Sequence, residues 1–444
     1  MHNKWPLGLK LGMSCAIAMT LCSCDTVAEL TFEEEQIIEA AVQGLVTPKC
    51  AAEISDAPSA SSAVFRFSVL TSFDDRMTPG KRYAALGDIL EPGKNFNAED
   101  IAFSDGWFFV IKQDGTDMTC QTPADCPQNA ACLNAAEMGL EQYYYPPSKF
   151  CVFPTTVTPT DHPKFTHFKN QSDNKPHIHS LNADGRTIAF ILDNSATWDG
   201  STESGIPDVA KATDPYQYRK VGLNQFMDGL ALTQETQPRY EFSAHFANGS
   251  GTTGVYDASE AWMRSTAVWE TTVMNKYPSP SGESPIWEAA TAALQKIQDS
   301  ANTTYSRTVI AITDGTPNNA DDAYSTFSRL VQANANIPLH WLELVTKNQT
   351  IDMRYAQAVN ESCGTHYIFE NPVQFSNIMH RIAINTESYW DLPLTFSAKL
   401  PKDNLYRLAV NMVATIGNSA VTFEAQRINE QNEPIDHRMV FLGK

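Results

Sequence analysis

Two rhythms of hydrophobic and polar positions run along this chain. From residue 184 to about 386, apolar, β-branched runs alternate with segments of helical spacing. TIAFILDNSA, RYEFSAHFANGS, SRTVIAITDG, PLHWLELVT and THYIFE read as strands, several of them near-continuously apolar, as a strand covered on both faces requires. Between and after them YRKVGLNQFMDGLAL, SPIWEAATAALQKIQDS, DDAYSTFSRLVQANANI, YAQAVNESCG and QFSNIMHRIAIN read as helices. Strand–helix alternation predicts an α/β unit, a mostly parallel sheet with helices on both faces. Sheets of this kind hold ligands just beyond the carboxyl ends of their strands.

On either side of that unit the period shortens to two. VFRFSVLTSF alternates apolar and polar residues, and WFFVIKQDG is strongly β with a turn signal behind it. The phrase NFNAEDIAFSDG resembles a segment of Ig-like β-sandwiches. LPLTFSAKL, YRLAVNMVATI, AVTFEAQRI and HRMVFLG return to β character in the tail. Four short strands make a thin domain alone. Either they complete the amino-terminal β region, with the α/β unit inserted into it, or they form a separate small sheet. Further upstream, TFEEEQIIEAAVQGLV carries a capping box in Thr31 and Glu34 and predicts a short helix. AAEISDAPSASSA then reads as a small-residue linker.

The first residues belong to export rather than to the fold. Lys4 and Lys10 precede an apolar stretch, and small residues lead to Cys24. Leu21-Cys22-Ser23-Cys24 resembles a bacterial lipobox, and the resemblance implies cleavage before Cys24 and lipidation of that residue. Asp25 resembles the inner-membrane retention signal of enteric bacteria. The implied location is the bacterial cell envelope, lipid-anchored to the inner or outer membrane. The chain then divides into a signal peptide (1–23), an anchor with its helix and linker (24–62), a β-rich region (63–182), the α/β unit (183–386) and a β-rich tail (387–444).

Composition changes this picture in two respects. The formal charge is −19 and no Lys/Arg cluster appears, which argues against a nucleic-acid partner. Of nine cysteines, six would remain unlipidated after export: Cys50, Cys120, Cys126, Cys132, Cys151 and Cys363. An even number in an exported chain suggests disulfides, with fifteen conceivable pairings. Cys120, Cys126, Cys132 and Cys151 are separated by five, five and eighteen residues. Zinc sites favour shorter spacings, so these four are candidates for a disulfide-stapled loop.

Candidate chemistry concentrates at the strand ends. The first strand of the α/β unit runs out into Asp193-Asn194-Ser195-Ala196-Thr197, a later one into Thr313-Asp314-Gly315, and Ser284 precedes a helix start in SGESPIWEA. Alternate residues of an extended turn point the same way, so Asp193, Ser195 and Thr197 converge. Two carboxylates and three hydroxyls, with no His or Cys, suit a hard divalent cation, Mg²⁺ before Mn²⁺ or Ca²⁺. Few protein charges leave such an ion electrophilic toward an incoming carboxylate.

The pattern resembles the von Willebrand factor A (vWA) domain and its metal-ion-dependent adhesion site. That family has Asp-x-Ser-x-Ser after its first strand, a Thr in a later loop and an Asp in a Thr-Asp-Gly turn. Here Asp193, Ser195 and Thr197 match the first element, Ser284 the second and Asp314 the third. The resemblance implies a Rossmann-like fold, direct metal contacts from Ser195, Thr197 and Ser284, and water-mediated ones from Asp193 and Asp314. It also implies a protein partner that offers an acidic side chain to the metal. Two positions depart from the family: Ala-Thr-Trp follows Ser195 where Gly-Ser-Met is usual, and Ser284 replaces Thr. Both keep the hydroxyl.

Other chemistry is weaker. His162, His167, His177 and His179 crowd a polar segment that reads as a connector, and no HExxH, GxSxG or phosphate-loop motif appears. The expected class is therefore a non-enzymatic binding module. A metal-free assembly component of the envelope is the alternative, and a metal-dependent hydrolase ranks lower.

Overall fold

A computed structural model describes residues 45–47, 62–67, 101–139, 148–159, 164–167, 178–179, 185–200, 208–231, 239–249, 255–258, 261–315, 317, 321–346, 349–362, 364–385, 388–416, 419–424 and 438–443. In chain order the strands are β1 (Leu45–Thr47), β2 (Ser62–Phe67), β3 (Ile101–Ile111), β4 (Thr119–Cys120), β5 (Ala131–Asn134), β6 (Lys149–Thr155), β7 (Val157–Pro159), β8 (Lys164–His167), β9 (Ile178–His179), β10 (Gly185–Asp193), β11 (Arg239–Ala247), β12 (Val255–Asp257), β13 (Ser306–Thr313), β14 (Leu339–Leu344), β15 (His366–Phe369), β16 (Ser388–Phe396), β17 (Leu405–Ile416), β18 (Ser419–Glu424) and β19 (Arg438–Leu442). The helices are α1 (Tyr218–Ala231), α2 (Thr266–Trp269, continued by a π-turn over Glu270–Met274), α3 (Ile286–Gln298), α4 (Asp321–Ala333), α5 (Met353–Asn360) and α6 (Gln374–Asn385).

The α/β unit forms one sheet in the order β12-β11-β10-β13-β14-β15, parallel throughout except for the edge strand β12. Counted within the unit, this is the doubly wound order 3-2-1-4-5-6. The order reverses between β10 and β13, and in folds of this kind such a switch point is where ligands bind, beyond the carboxyl ends of the strands. β10 is buried along its whole length, and its alternate side chains feed two cores. Ile188, Phe190 and Leu192 pack with Leu223 and Phe226 of α1, Trp269, and Phe375 and Ile378 of α6. Ala189 and Ile191 pack with Trp287 and Ala290 of α3, Phe327 of α4 and Tyr355 of α5. Burial on both faces is why these strands read as unbroken apolar runs.

The tail strands pair with the amino-terminal ones: β16 lies against β2, β7 and β8, and β17 against β3. Phe108 of β3 contacts Phe396 of β16 with ring centroids 5.1 Å apart, so the two β layers share aromatic packing. β19 runs antiparallel to both β15 and β17 and thereby fuses the α/β sheet and the β3/β17 sheet into thirteen strands. Among the described residues the tail strands thus pair with amino-terminal strands.

The expected acidic helix, whose stop signal is Gly44, lies outside the described residues, and Leu45 and Val46 just beyond it open β1, paired with β2. The α2/π-turn segment and the short strand β12 carried no recognisable period. Among the described residues, no helix is long and apolar enough to cross a membrane.

One polar network inside the α/β unit predicts acid sensitivity. His245 is buried on β11, 3.2 Å from the Ser243 hydroxyl, and faces the Asp257–Lys296 ion pair. Burial, reinforced by Lys296 and opposed by Asp257, holds its pKa at about 4, below the ordinary 6.5. The unfolded chain then binds the extra proton first, so this stabilisation is complete above pH 6.5 and is lost as pH falls through 4. Thermal unfolding followed between pH 7 and 4.5 should show a steeper decline for the native chain than for a His245→Gln variant. Parallel curves would exclude His245 as the source.

Candidate metal centre

The first loop is built by its own backbone. β10 ends at Asp193, whose Oδ1 accepts the Ser195 amide at 3.0 Å. The Asn194 amide donates to Ala247 O at the end of β11, and a 3₁₀ turn over Ala196–Trp198 follows. This turn brings the Ser195 and Thr197 hydroxyls within 3.0 Å of each other. The side chain of Trp198 is fully buried, with the Arg219 guanidinium 4.6 Å from its ring centroid.

β13 delivers the second carboxylate. Thr313 Oγ1 donates to Asp193 Oδ2 at 2.8 Å, and Thr197 Oγ1 donates to Asp314 Oδ1 at 3.0 Å. The loop behind Asp314 is held from below, by Gln349 Nε2 on Asp314 O and by the Tyr355 hydroxyl on Gly315 O. The third segment docks on the first through Ser281 N to Asn194 O (3.1 Å) and Ala196 N to Gly282 O (3.0 Å). Gly282 has φ +63°, and a Cβ there would lie 2.7 Å from Gly249 Cα. Only glycine lets this loop pass the end of β11 so closely. Ser284, two residues on, is buried at the start of α3.

Thus Asp193, Ser195, Thr197 and Asp314 form one hydrogen-bonded cluster with Thr313, and the Ser284 loop is pinned beside it. Thr213 joins the cluster without having been marked in the sequence. Its hydroxyl donates to Asp314 Oδ2. In KATDPYQY the acidic residue announces a helix cap, and Asp214 does accept the Tyr218 and Arg219 amides of α1. Nothing in that string singles out the hydroxyl before it.

Electrostatics favour a cation here. Asp193 and Asp314 are both buried. The nearby Arg219 is committed to Asp214, at 3.1 Å. Among the described residues, neither carboxylate is ion-paired with Lys or Arg. Burial first, and then the charge of Asp193, push the Asp314 carboxyl up to about 7 against hydrogen bonds from Thr213 and Thr197 that pull it down. Two buried carboxylates held close with hydroxyls alone suit a hard ion that would neutralise them. The residues therefore fit the cation that the sequence pattern implies.

The remaining candidates resolve differently. Cys120 is bonded to Cys132 and Cys126 to Cys151, stapling the β4–β6 region. Three of these sulfurs lie within 4.8 Å of one another, but as disulfide sulfurs they are not thiolate ligands. Cys24, Cys50, Cys363, His162 and His177 lie outside the described residues, while His167 and His179 fall on β8 and β9. Ser243, His245 and Asp257 mimic a hydrolytic triad in composition, yet Ser243 is wholly buried.

No family model matches the sequence, and no curated protein is detectably similar to it. Among solved structures the chain is similar to a von Willebrand factor type A protein from Catenulispora acidiphila, at 10% identity over 54% of this chain and 66% of that one, with a TM-score of 0.33. It is also similar to the pilus adhesin SpaC from Lactobacillus rhamnosus GG, at 9% identity over 61% of this chain and 45% of that one, TM-score 0.37. The PilB minor pilin from Streptococcus sanguinis shows 8% identity over 64% and 87%, TM-score 0.37. The chain thus spans about two thirds of the first of these proteins and under half of the second. Scores of this size leave the functional reading to the chain's own geometry.

Proposed function

We propose that this protein is a binding module of the vWA type, exported and lipid-tethered in a bacterial envelope, that captures a protein partner through a divalent cation. The observation that carries this reading is the cluster of Asp193, Ser195, Thr197 and Asp314 at the topological switch point, with the Ser284 loop docked against it. Ser195, Thr197 and Ser284 would hold the ion, with Asp193 and Asp314 neutralising it from slightly further away. The bound ion would supply an electrophilic position for a carboxylate of the partner. It would also reverse the local sign of a chain whose net charge is −19, so that an acidic group can approach.

The same edge offers apolar contact area. Of the five exposed large hydrophobic side chains among the described residues, Val209 (65% exposed) and Tyr216 (75%) lie between β10 and α1. Val221 lies in the first turn of α1 and Val373 just before α6. Val209, Tyr216 and Val373 sit on the connections leaving the carboxyl ends of β10 and β15, and Val221 at the start of the helix that follows the first of them, where a partner reaching the ion would rest.

Thermal unfolding tests the ion directly. Mg²⁺ or Mn²⁺ at a hundred times its dissociation constant should stabilise the protein by about 2.7 kcal/mol, reversibly with EDTA. Identical unfolding with Mg²⁺, Mn²⁺, Ca²⁺ and chelator would remove the metal from this function.

A further inference from the structure

The segment from Asp208 to Asp214 lies along the loop that follows β10 like a strap, and its attachment separates backbone from side chain. Three amides hold it down: Asp208 N to Gly200 O, Thr213 N to Thr197 O and Asp214 N to Trp198 O, each at 3.1 Å. Asp214 then anchors the far end by capping α1 and pairing with Arg219. The strap therefore docks without help from the Thr213 hydroxyl.

That hydroxyl has one proton and two acceptors in reach, Asp314 Oδ2 and, at 3.2 Å, Thr197 O. The carboxylate is the stronger acceptor. Thr197 already holds the opposite oxygen, Oδ1. A carboxylate turns readily about its terminal torsion unless both oxygens are held. Here the two threonines grip it from opposite ends.

We propose that Thr213 is a positioning residue of the cation centre: by holding Asp314 Oδ2 it keeps Oδ1 turned toward the Ser195–Thr197 hydroxyl pair. The inference rests on the metal-binding reading above and assigns the strap to the centre. Partners that orient a ligand from behind typically govern metal affinity by 10–100-fold.

The test uses the full chain with Thr213→Val, which keeps the shape and removes the donor, and Thr213→Ser, which keeps the donor. Calorimetric titration with Mn²⁺ and with Mg²⁺ should show the Val variant weakened by about tenfold or more and the Ser variant within about threefold of the native chain. The strap's amide bonds should keep all three chains folded without metal, with Thr213→Val alone unfolding at a somewhat lower temperature through loss of one hydrogen bond to a buried carboxylate. Native-like affinity in Thr213→Val overturns the inference, as does a Ser variant as weak as Val, which would point to the methyl group's packing. If Thr213→Val does not fold by circular dichroism, Thr213→Ala replaces it under the same criteria. A native chain that binds neither ion would overturn the metal-binding reading itself and the inference with it, whereas native binding with an indifferent Thr213 removes only the latter.

Discussion

Asp314→Asn should abolish stabilisation by Mg²⁺ while leaving the metal-free protein at least as stable as the native chain. The substitution keeps an oxygen to accept from Thr197 and removes one of two buried negative charges. Without an ion, that second charge is a cost: burial and Asp193 raise the Asp314 carboxyl to about 7. Because the folded state holds this proton more tightly than the unfolded chain, the metal-free native protein should be favoured at low pH and lose that contribution as pH rises from about 4 through 7. The Asn variant should not show this decline. With Mg²⁺ present the order reverses, since the ion competes with the proton and binds the native centre better as pH rises. The native gain of about 2.7 kcal/mol at a hundredfold excess should vanish in the variant. Calorimetric unfolding at pH 5, 6, 7 and 8, with and without Mg²⁺, checks all of this. An Asn variant that retains the full Mg²⁺ effect would mean that the ion binds elsewhere.

Trp287→Ala should cost about 3–5 kcal/mol of unfolding free energy, the largest effect expected of any single substitution considered. Trp287 is fully buried in the first turn of α3. Its ring lies 5.4 Å from Trp341 of β14, 5.0 Å from Tyr355 of α5 and 5.4 Å from Phe327 of α4. No neighbour can fill an indole-sized void without leaving its own packed position. The damage should reach the centre, because Ser284 is three residues away and the Tyr355 hydroxyl holds Gly315 O. Urea unfolding should show the midpoint lowered, and cation affinity should fall in the variant that still folds. A loss below about 1 kcal/mol would show that the aromatic box collapses around the gap and contributes little.

Much of the centre was legible in the sequence because its determinants are local. A strand buried on both faces must be apolar throughout, and Asp193, Ser195 and Thr197 follow such a run at the spacing that aims them together. Thr313-Asp314-Gly315 follows another. Once the strands are parallel, both segments must emerge at one edge, so the pairing of the two carboxylates follows from alternation of strand and helix alone. The same local signals marked α1, α3, α4, α5 and α6.

What escaped depends on groups distant in sequence. Nothing near Thr213 states that its hydroxyl will reach Asp314, since that contact exists only after the strap has been laid across the loop from β10. The pairing of four neighbouring cysteines was open until β5 and β6 came into register, with Cys132 opposite Cys151 and each bonded elsewhere. Likewise β19 reads as one more short strand, yet it lies between β15 and β17 and joins two sheets whose residues are far apart along the chain. Which segments become strands or helices, and which oxygen-bearing side chains stand at strand ends, can be read along the chain, because periodicity and side-chain direction act over a few residues. Which edges, sulfurs and hydroxyls meet is fixed by the folded arrangement, because a backbone edge or a single donor can take many partners and proximity in space makes the choice.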